Sequence, residues 1–233
     1  MIEKKYLDWD SEFFHLKVAK IVTDSLAVNI SEETKGLCEG DIDLVYIETP
    51  YVEGAEDNSD LGKAVDIKYI YEIRLHEHDA YGLDEHISIC AEPEDELYAL
   101  ALQAGHRSRY RVDRNFAEGE FERLYRMWMD NSLNGTIADY VLAYRKDGIV
   151  KGMVTLKMKD DVSEIGLLAV DASMRGMGIG RKLMDAALHF TLKHRKTALH
   201  VATQRDNPGA CRFYERCGGI LISSTSIYHK WMR

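Results

Sequence analysis

The chain has 233 residues, 45% of them hydrophobic and 30% charged, and its 39 acids outnumber its 30 Lys and Arg to give a formal charge of −9. That length suits one large domain or two small ones with ample core. The acidic balance argues against DNA or RNA as the primary partner, because phosphate binding draws on a basic excess.

The opening "MIEKKYLDWDSEFF" alternates charged and apolar residues without an apolar run, so it does not read as a signal peptide, and no later stretch is long enough to span a bilayer. "HLKVAKIV", "DIDLVYIE" and "DIKYIYEIRL" have the β-branched and aromatic content of strands. Between them "SEETKGLCEG" and "NSDLGKAV" read as short helices. "HEHDAYGLDEH" (76–86) then marks the best domain boundary, which predicts an N-terminal α/β domain over 1–80 and a second domain over 84–233. Its His76, His78 and His86 match no defined ligand spacing, so no metal site is expected. The four cysteines (Cys38, Cys90, Cys211, Cys217) form no Cys-x-x-Cys pair, and a reduced, cytoplasmic protein follows.

Beyond the boundary "HISICA" reads as a strand. In "EPEDELYALALQAG" the residues Leu97, Leu100, Ala101 and Ala104 recur at helical spacing, with acids in the first turn and Gly105 as terminator. Phe121, Leu124, Tyr125 and Trp128 form a second helical stripe, read as core. Residues 139–170 break at "KDG" and "KDD" into three strands, an antiparallel meander. Helices follow over "IGRKLMDAALHFTL" and "NPGACRFYERCGG", each succeeded by a strand. The order implies a mixed, largely antiparallel sheet with flanking helices, an α/β fold.

The meander runs into "VDASMRGMGIGRKLMD" (170–185), with Gly176, Gly178 and Gly180 at alternate positions. A dinucleotide fingerprint needs Gly-x-Gly-x-x-Gly, but Arg181 or Leu183 occupies the last place; a Walker loop needs Ser or Thr after Gly-Lys, and the sequence is Gly180-Arg181-Lys182. What remains is Arg175-x-x-Gly178-x-Gly180 opening a helix. Amide groups without side chains between them can line an anion-binding nest at the positive end of a helix dipole, and Arg175, Arg181 and Lys182 add charge. A ligand-free glycine turn is the plain alternative.

That motif, after a strand and before a helix, resembles the acyl-CoA loop of the GNAT superfamily of N-acyltransferases, and the likeness covers roughly residues 84–233. The resemblance implies the GNAT fold and acetyl-CoA as co-substrate, without a metal. The 175–181 loop, Arg175, Gly176, Met177, Gly178, Ile179, Gly180 and Arg181, would cradle its pyrophosphate. Leu168, Ala169 and Val170 would meet the thioester and pantetheine amides, with Asn207, Ala210 and Phe213 alongside. Tyr214 would protonate the leaving thiolate in a direct-attack ternary complex. Read as packing alone, Tyr214 shares a core face with Ala210 and Cys217. Glu164, Asp139, Glu215 and a water chain all stay open as the general base.

"LDWDSEFFHLKVAKI", "RSRYR", "EIGLLAV", "ALHVATQ" and "STSIYHKWMR" further resemble the branch of that superfamily that acetylates nucleotide-linked amino sugars. This implies a TDP-linked 4-amino-4,6-dideoxy sugar as partner and an N-terminal domain that is an incomplete GNAT-like half. Arg109 and Arg111 in "HRSRYRVDR" suit a diphosphate, since guanidinium groups bind phosphate bidentately; a solvated basic loop is the alternative. A protein N-terminus or small amine is the competing acceptor, and a non-catalytic acyl-CoA-binding protein the competing class. No membrane partner is expected, and a homodimer is left open.

Overall fold

The computed structural model describes residues 2–24, 33, 42–54, 57–58, 60–76 and 78–232. Two compact units emerge, one of residues 1–69, 204–206 and 223–233, the other of 70–203 and 207–222. The first begins with β1 (Ile2–Tyr6), α1 (Asp8–Phe14), β2 (Val18–Thr23) and β3 (Leu44–Pro50). β2 and β3 run parallel, and β1 lies antiparallel to β2 with every residue exposed. Lys4 and Lys5 place charge on that open edge, which disfavours pairing with another chain. Of the helix expected over 31–40, only Glu33 is among the described residues.

The expected helix over 58–65 is instead a hairpin of β4 (Asp57–Asn58) and β5 (Gly62–Lys63). Asn58 Oδ1 accepts from the amides of Asp60 (2.9 Å) and Leu61 (3.2 Å), and Gly62 takes φ +75°. Local Asn and Gly turn chemistry sets the hairpin in place of the expected short helix. β6 (Asp66–Arg74) then passes from the first unit into the second after Tyr69.

The second unit contains β7 (Ile87–Ile89), α2 (Asp95–Ala104), the single-turn α3 (Arg109–Val112), α4 (Glu120–Leu133), β8 (Tyr140–Lys146), β9 (Ile149–Met158) and β10 (Val162–Val170). It continues with α5 (Ile179–Lys193), β11 (Ala198–Gln204) and α6 (Pro208–Arg216). β7 to β10 form an antiparallel meander, and β11 joins β10 in parallel. Successive residues from Val141 to Tyr144 and from Gly152 to Leu156 are buried, so both faces of these strands are covered. α2 and α5 both pack on β9 and β10. This is the mixed, largely antiparallel α/β architecture expected.

β12 (Ile220–Trp231) closes the chain, and Thr225–Trp231 pair antiparallel with Leu44–Pro50 of β3. The division therefore differs from the expected cut near residue 80: it falls inside β6, and the C-terminal strand joins the first unit. A strand belongs to the sheet whose hydrogen bonds it completes, wherever it lies in the chain. In the first unit Ala19, Ile21, Val45, Ile47 and Tyr228 form a common core with Ile42.

The histidine-rich segment serves as a strap. Asp84 pairs with Lys182 of α5 at 2.9 Å, and the Tyr81 carbonyl meets His189 Nδ1 at 2.9 Å. The Lys182 ammonium holds the Asp84 carboxyl down at about 2. His86 Nδ1 lies 3.0 Å from Asp84, and its ring stacks on Tyr144.

Gly105 ends α2 with an ordinary φ of −80°, so its missing side chain answers a need for space. A Cβ there would lie 2.3 Å from the Tyr125 ring, which is 5% exposed. Phe121 and Trp128 each hold that ring with centroids 4.8 Å away. Gly105→Ala should therefore cost about 1–3 kcal/mol through overpacking and lower the melting temperature by roughly 3–10 °C. Thermal unfolding checks this; a change under about 1 °C would mean that the ring yields freely.

Candidate active site

β10 is the element around which the site is built. Ile165 faces Leu156 of β9 and Leu168 faces Val154, so β10 carries one extra residue across that step, a β-bulge. The Leu167 amide donates to the buried Thr155 Oγ1 at 2.8 Å, and a Cβ on Gly166 would sit 2.8 Å from the same oxygen. Pairing with β11 runs from Val162–Ala198 to Ile165–Val201 and stops there. Past that point the two parallel strands are no longer paired.

The divergence opens a cleft of about 710 Å³. Leu168, Ala169 and Val170 form one wall, Asn207, Gly209 and Ala210 another, and Gln103, His106, Arg107 and Arg111 stand across from them. A smaller cleft of about 390 Å³ adjoins it, sharing Val170 and Arg175. Gly176, Gly178, Ile179, Gly180, Arg181, Phe213, Arg216 and Cys217 line this second space. Met177, 57% exposed, lines neither cleft.

The glycines of the loop answer different demands. Gly176 and Gly178 have φ +78° and +79°, the left-handed region that glycine occupies most easily, and nothing lies within 4 Å of a Cβ at either. Gly180 lacks a positive φ; a Cβ there would touch the Phe213 ring at 3.4 Å. Gly178 caps α5, so the first amides of a 15-residue helix open beside the smaller cleft. Asp171 caps the preceding 3-10 turn, accepting from the Ser173 amide at 2.9 Å and from its hydroxyl.

The cations near the loop divide sharply. Arg175 donates to the Val170 carbonyl (3.3 Å) and to Gln103 Oε1 (3.2 Å), which places its guanidinium on both clefts. Arg181 is tied to Asp185 at 2.8 Å but still lines the smaller cleft. Lys182, expected to add charge at the loop, pairs with Asp84 and lines neither.

On α6, Asn207 Oδ1 caps the helix by accepting from the Ala210 amide at 3.3 Å, with Pro208 at the first turn. Tyr214 is 6% exposed and lines neither cleft, its ring lying beside those of Tyr71 (6.0 Å) and Phe213 (5.4 Å). It stands one helical turn from Ala210 of the larger cleft and from Cys217 of the smaller. Among the described residues its hydroxyl has no hydrogen-bond partner, and burial pushes it above the ordinary tyrosine range, so it keeps its proton at neutral pH.

Arg109 and Arg111 sit on α3, which Ser108 caps by accepting from the Tyr110 amide. They are not equivalent. Arg111 lines the larger cleft, whereas Arg109 turns back to donate to Tyr110 Oη at 2.7 Å with its guanidinium over that ring. Arg107, together with Gln103 and His106, takes the place beside Arg111. No periodic signal marked these three, because they surround the irregular end of α2.

The carboxylates considered as bases have other partners. Glu164 pairs with Lys159 at 2.7 Å, and Asp139 binds Lys157 Nζ (3.0 Å) and the Met158 amide (2.6 Å). Glu215 accepts from Tyr71 Oη at 3.0 Å.

Similarity to known proteins agrees with this geometry. The dTDP-fucosamine acetyltransferase of Escherichia coli O6:H1 (strain CFT073) is 35% identical over 130 residues, 55% of this chain and 55% of that protein. The spore coat polysaccharide biosynthesis protein SpsD of Bacillus subtilis (strain 168) is 31% identical over 134 residues, 57% of this chain and 45% of that one. The chain thus spans about half the length of the curated relatives it matches. A solved GCN5-related N-acetyltransferase from Sphaerobacter thermophilus shares the fold, with a TM-score of 0.59 and 14% identity over 100% of this chain and 77% of that one. The family described as Acetyltransferase (GNAT) matches residues 99–219, from within α2 to the end of α6 and so across both clefts; the chain belongs to that family.

Proposed function

We propose that the protein is an acetyl-CoA-dependent N-acetyltransferase of the cytoplasm, acting on a TDP-linked 4-amino-4,6-dideoxy sugar in surface polysaccharide synthesis. The observation that carries the acetyl-CoA part is the glycine loop at the start of α5, opening onto a space that shares Val170 and Arg175 with the larger cleft beside the diverging strand. Helix-start amides with Arg175, Arg181 and Arg216 suit a pyrophosphate. Backbone groups of Leu168–Val170, released from a parallel partner, suit an amide-bearing arm and a thioester carbonyl. The described Cys90, Cys211 and Cys217 form no disulfide, which fits a reducing compartment.

Three things must happen at the thioester: an amine loses a proton, the carbonyl oxygen gains charge, and sulfur leaves. The Leu168–Val170 backbone would meet the developing oxyanion, where a donor contributes about 3 kcal/mol. Tyr214 would donate to sulfur. Its proton is firmly held, so the role is a hydrogen bond that tightens as charge develops rather than full transfer in advance. The acceptor reading rests on the sugar-related names of the two curated relatives and on the cationic wall of Arg107 and Arg111.

Acetyl-CoA at about 100 times its dissociation constant should stabilise the fold by roughly 2.7 kcal/mol, a rise of about 5–10 °C in melting temperature. Gly178→Asn tests the loop, since asparagine tolerates left-handed backbone and the position has room for a side chain. The variant should stay folded and lose the shift; an equal shift would remove the loop from the site.

For Tyr214→Phe, kcat should fall about 10²-fold or more, with acetyl-CoA affinity unchanged. Because the hydroxyl has no hydrogen-bond partner among the described residues, stability should hold or rise. Unchanged turnover in steady-state assays would return Tyr214 to the core.

The two arginines should separate in assays with a TDP-amino sugar. Arg111→Ala should raise KM about 10-fold or more, the loss of a charge-assisted contact, while sparing acetyl-CoA binding. Arg109→Ala should act mainly on stability through Tyr110. Equal rates on free amino sugar and TDP-sugar would sink the nucleotide-sugar assignment.

A further inference from the structure

We infer that His106 is the general base of the transfer, taking the proton that the acceptor ammonium must lose before attack; this rests on the acyl-transfer reading above. The argument begins with what the larger cleft holds. Among the described residues its wall carries no carboxylate: the charged groups facing the space are Arg107 beside His106, Arg111 on α3 and Arg175 on the glycine loop, with Gln103 and Asn207 as neutral polar neighbours. Beneath the turn, Tyr125 of α4 packs against Gly105. A cleft lined by guanidinium groups offers an ammonium no ion pair, so an incoming ammonium gains by giving up its proton there, and that proton needs a neutral acceptor.

Histidine is the side chain that accepts a proton near neutrality. His106 lies on the turn Gly105–Arg107, exposed and lining the cleft that Leu168–Val170 also line, and among the described residues it enters no hydrogen bond or ion pair. Glu164, Asp139 and Glu215 all hold other partners and line neither cleft. The turn is fixed rather than loose, because Gly105 is buried against the Tyr125 ring and Ser108 N donates to the Gly105 carbonyl at 2.8 Å.

The step balances. The ammonium gives one proton to the imidazole, and the freed lone pair forms the C–N bond to the thioester carbonyl carbon while the C=O π pair moves to oxygen. Collapse of the oxyanion re-forms C=O and breaks C–S, with the bonding pair leaving on sulfur. Nitrogen sheds its surplus proton and sulfur gains one, giving amide and thiol, and the imidazolium returns its proton to water.

The test measures kcat/KM by thiol release from pH 5 to 9, with acetyl-CoA and a TDP-4-amino-4,6-dideoxyhexose, in wild type, His106→Gln and His106→Ala. Wild type should show an acidic limb in addition to the acceptor's own ionisation. In His106→Gln only the acceptor's ionisation should remain, with kcat/KM down about 10²-fold at neutral pH and the acetyl-CoA thermal shift intact. Added imidazole should partly restore His106→Ala. A variant with the wild-type profile and rate overturns the inference while leaving the transferase reading in place. Absence of thiol release in wild type with every amine tried, despite acetyl-CoA binding, instead sinks the transferase reading and this assignment with it.

Discussion

One irregularity in one strand governs the rest of the site. The extra residue in β10 near Gly166 and Leu167 ends regular pairing with β9 locally, and parallel pairing with β11 stops at Ile165–Val201. A disrupted ladder inside a buried sheet would leave amides unsatisfied, at about 1–3 kcal/mol each. Here Thr155 Oγ1 takes the Leu167 amide at 2.8 Å, and the absence of a side chain on Gly166 lets that hydroxyl approach. The strands part at little cost, and the chain between Leu168 and Val170 keeps β9 on one side and faces a cleft on the other.

The elements around the opening are held by short, specific contacts. Ser163 and Thr191 share a buried hydrogen bond of 2.5 Å that joins the base of β10 to α5. A side chain on Gly152 would press on Leu183 and Ile179, so its absence lets α5 lie close to β9. Tyr125 fills the space that Gly105 leaves, and so sets where α2 ends and where the turn carrying His106 and Arg107 begins. The rigidity of the cleft follows from packing of this kind, since filled interiors resist small displacements.

Charge is distributed by the same logic. The chain is acidic overall, yet the larger cleft collects Arg107, Arg111 and Arg175. Other cations are drawn aside by near neighbours: Lys182 by Asp84, Arg181 by Asp185, Arg145 by Glu94 at 2.5 Å, and Arg109 by Tyr110. Net charge therefore says little about the local potential that an anionic substrate meets. The larger cleft acquires its sign from arginines that hold no salt bridge among the described residues, while the smaller one adds Arg181 despite its pairing with Asp185.

The sequence by itself determined those features whose cause lies within a few residues. Helical spacing marked α2 through Leu97, Leu100 and Ala101, the breaks at "KDG" and "KDD" marked the meander, and alternate glycines marked the loop before α5, where Gly176 and Gly178 indeed take left-handed backbone. The local reading also misled at 58–65, where an Asn and Gly turn forms a hairpin in place of the expected short helix. Only the tertiary structure decided that Arg111 faces the cleft while Arg109 folds onto Tyr110, that Lys182 leaves the loop for Asp84, and that β12 completes the sheet of β3. Apart from the adjacent pair Arg109 and Tyr110, these outcomes depend on contacts between residues far apart in the chain, and a side chain's direction is set by the partner that reaches it in space.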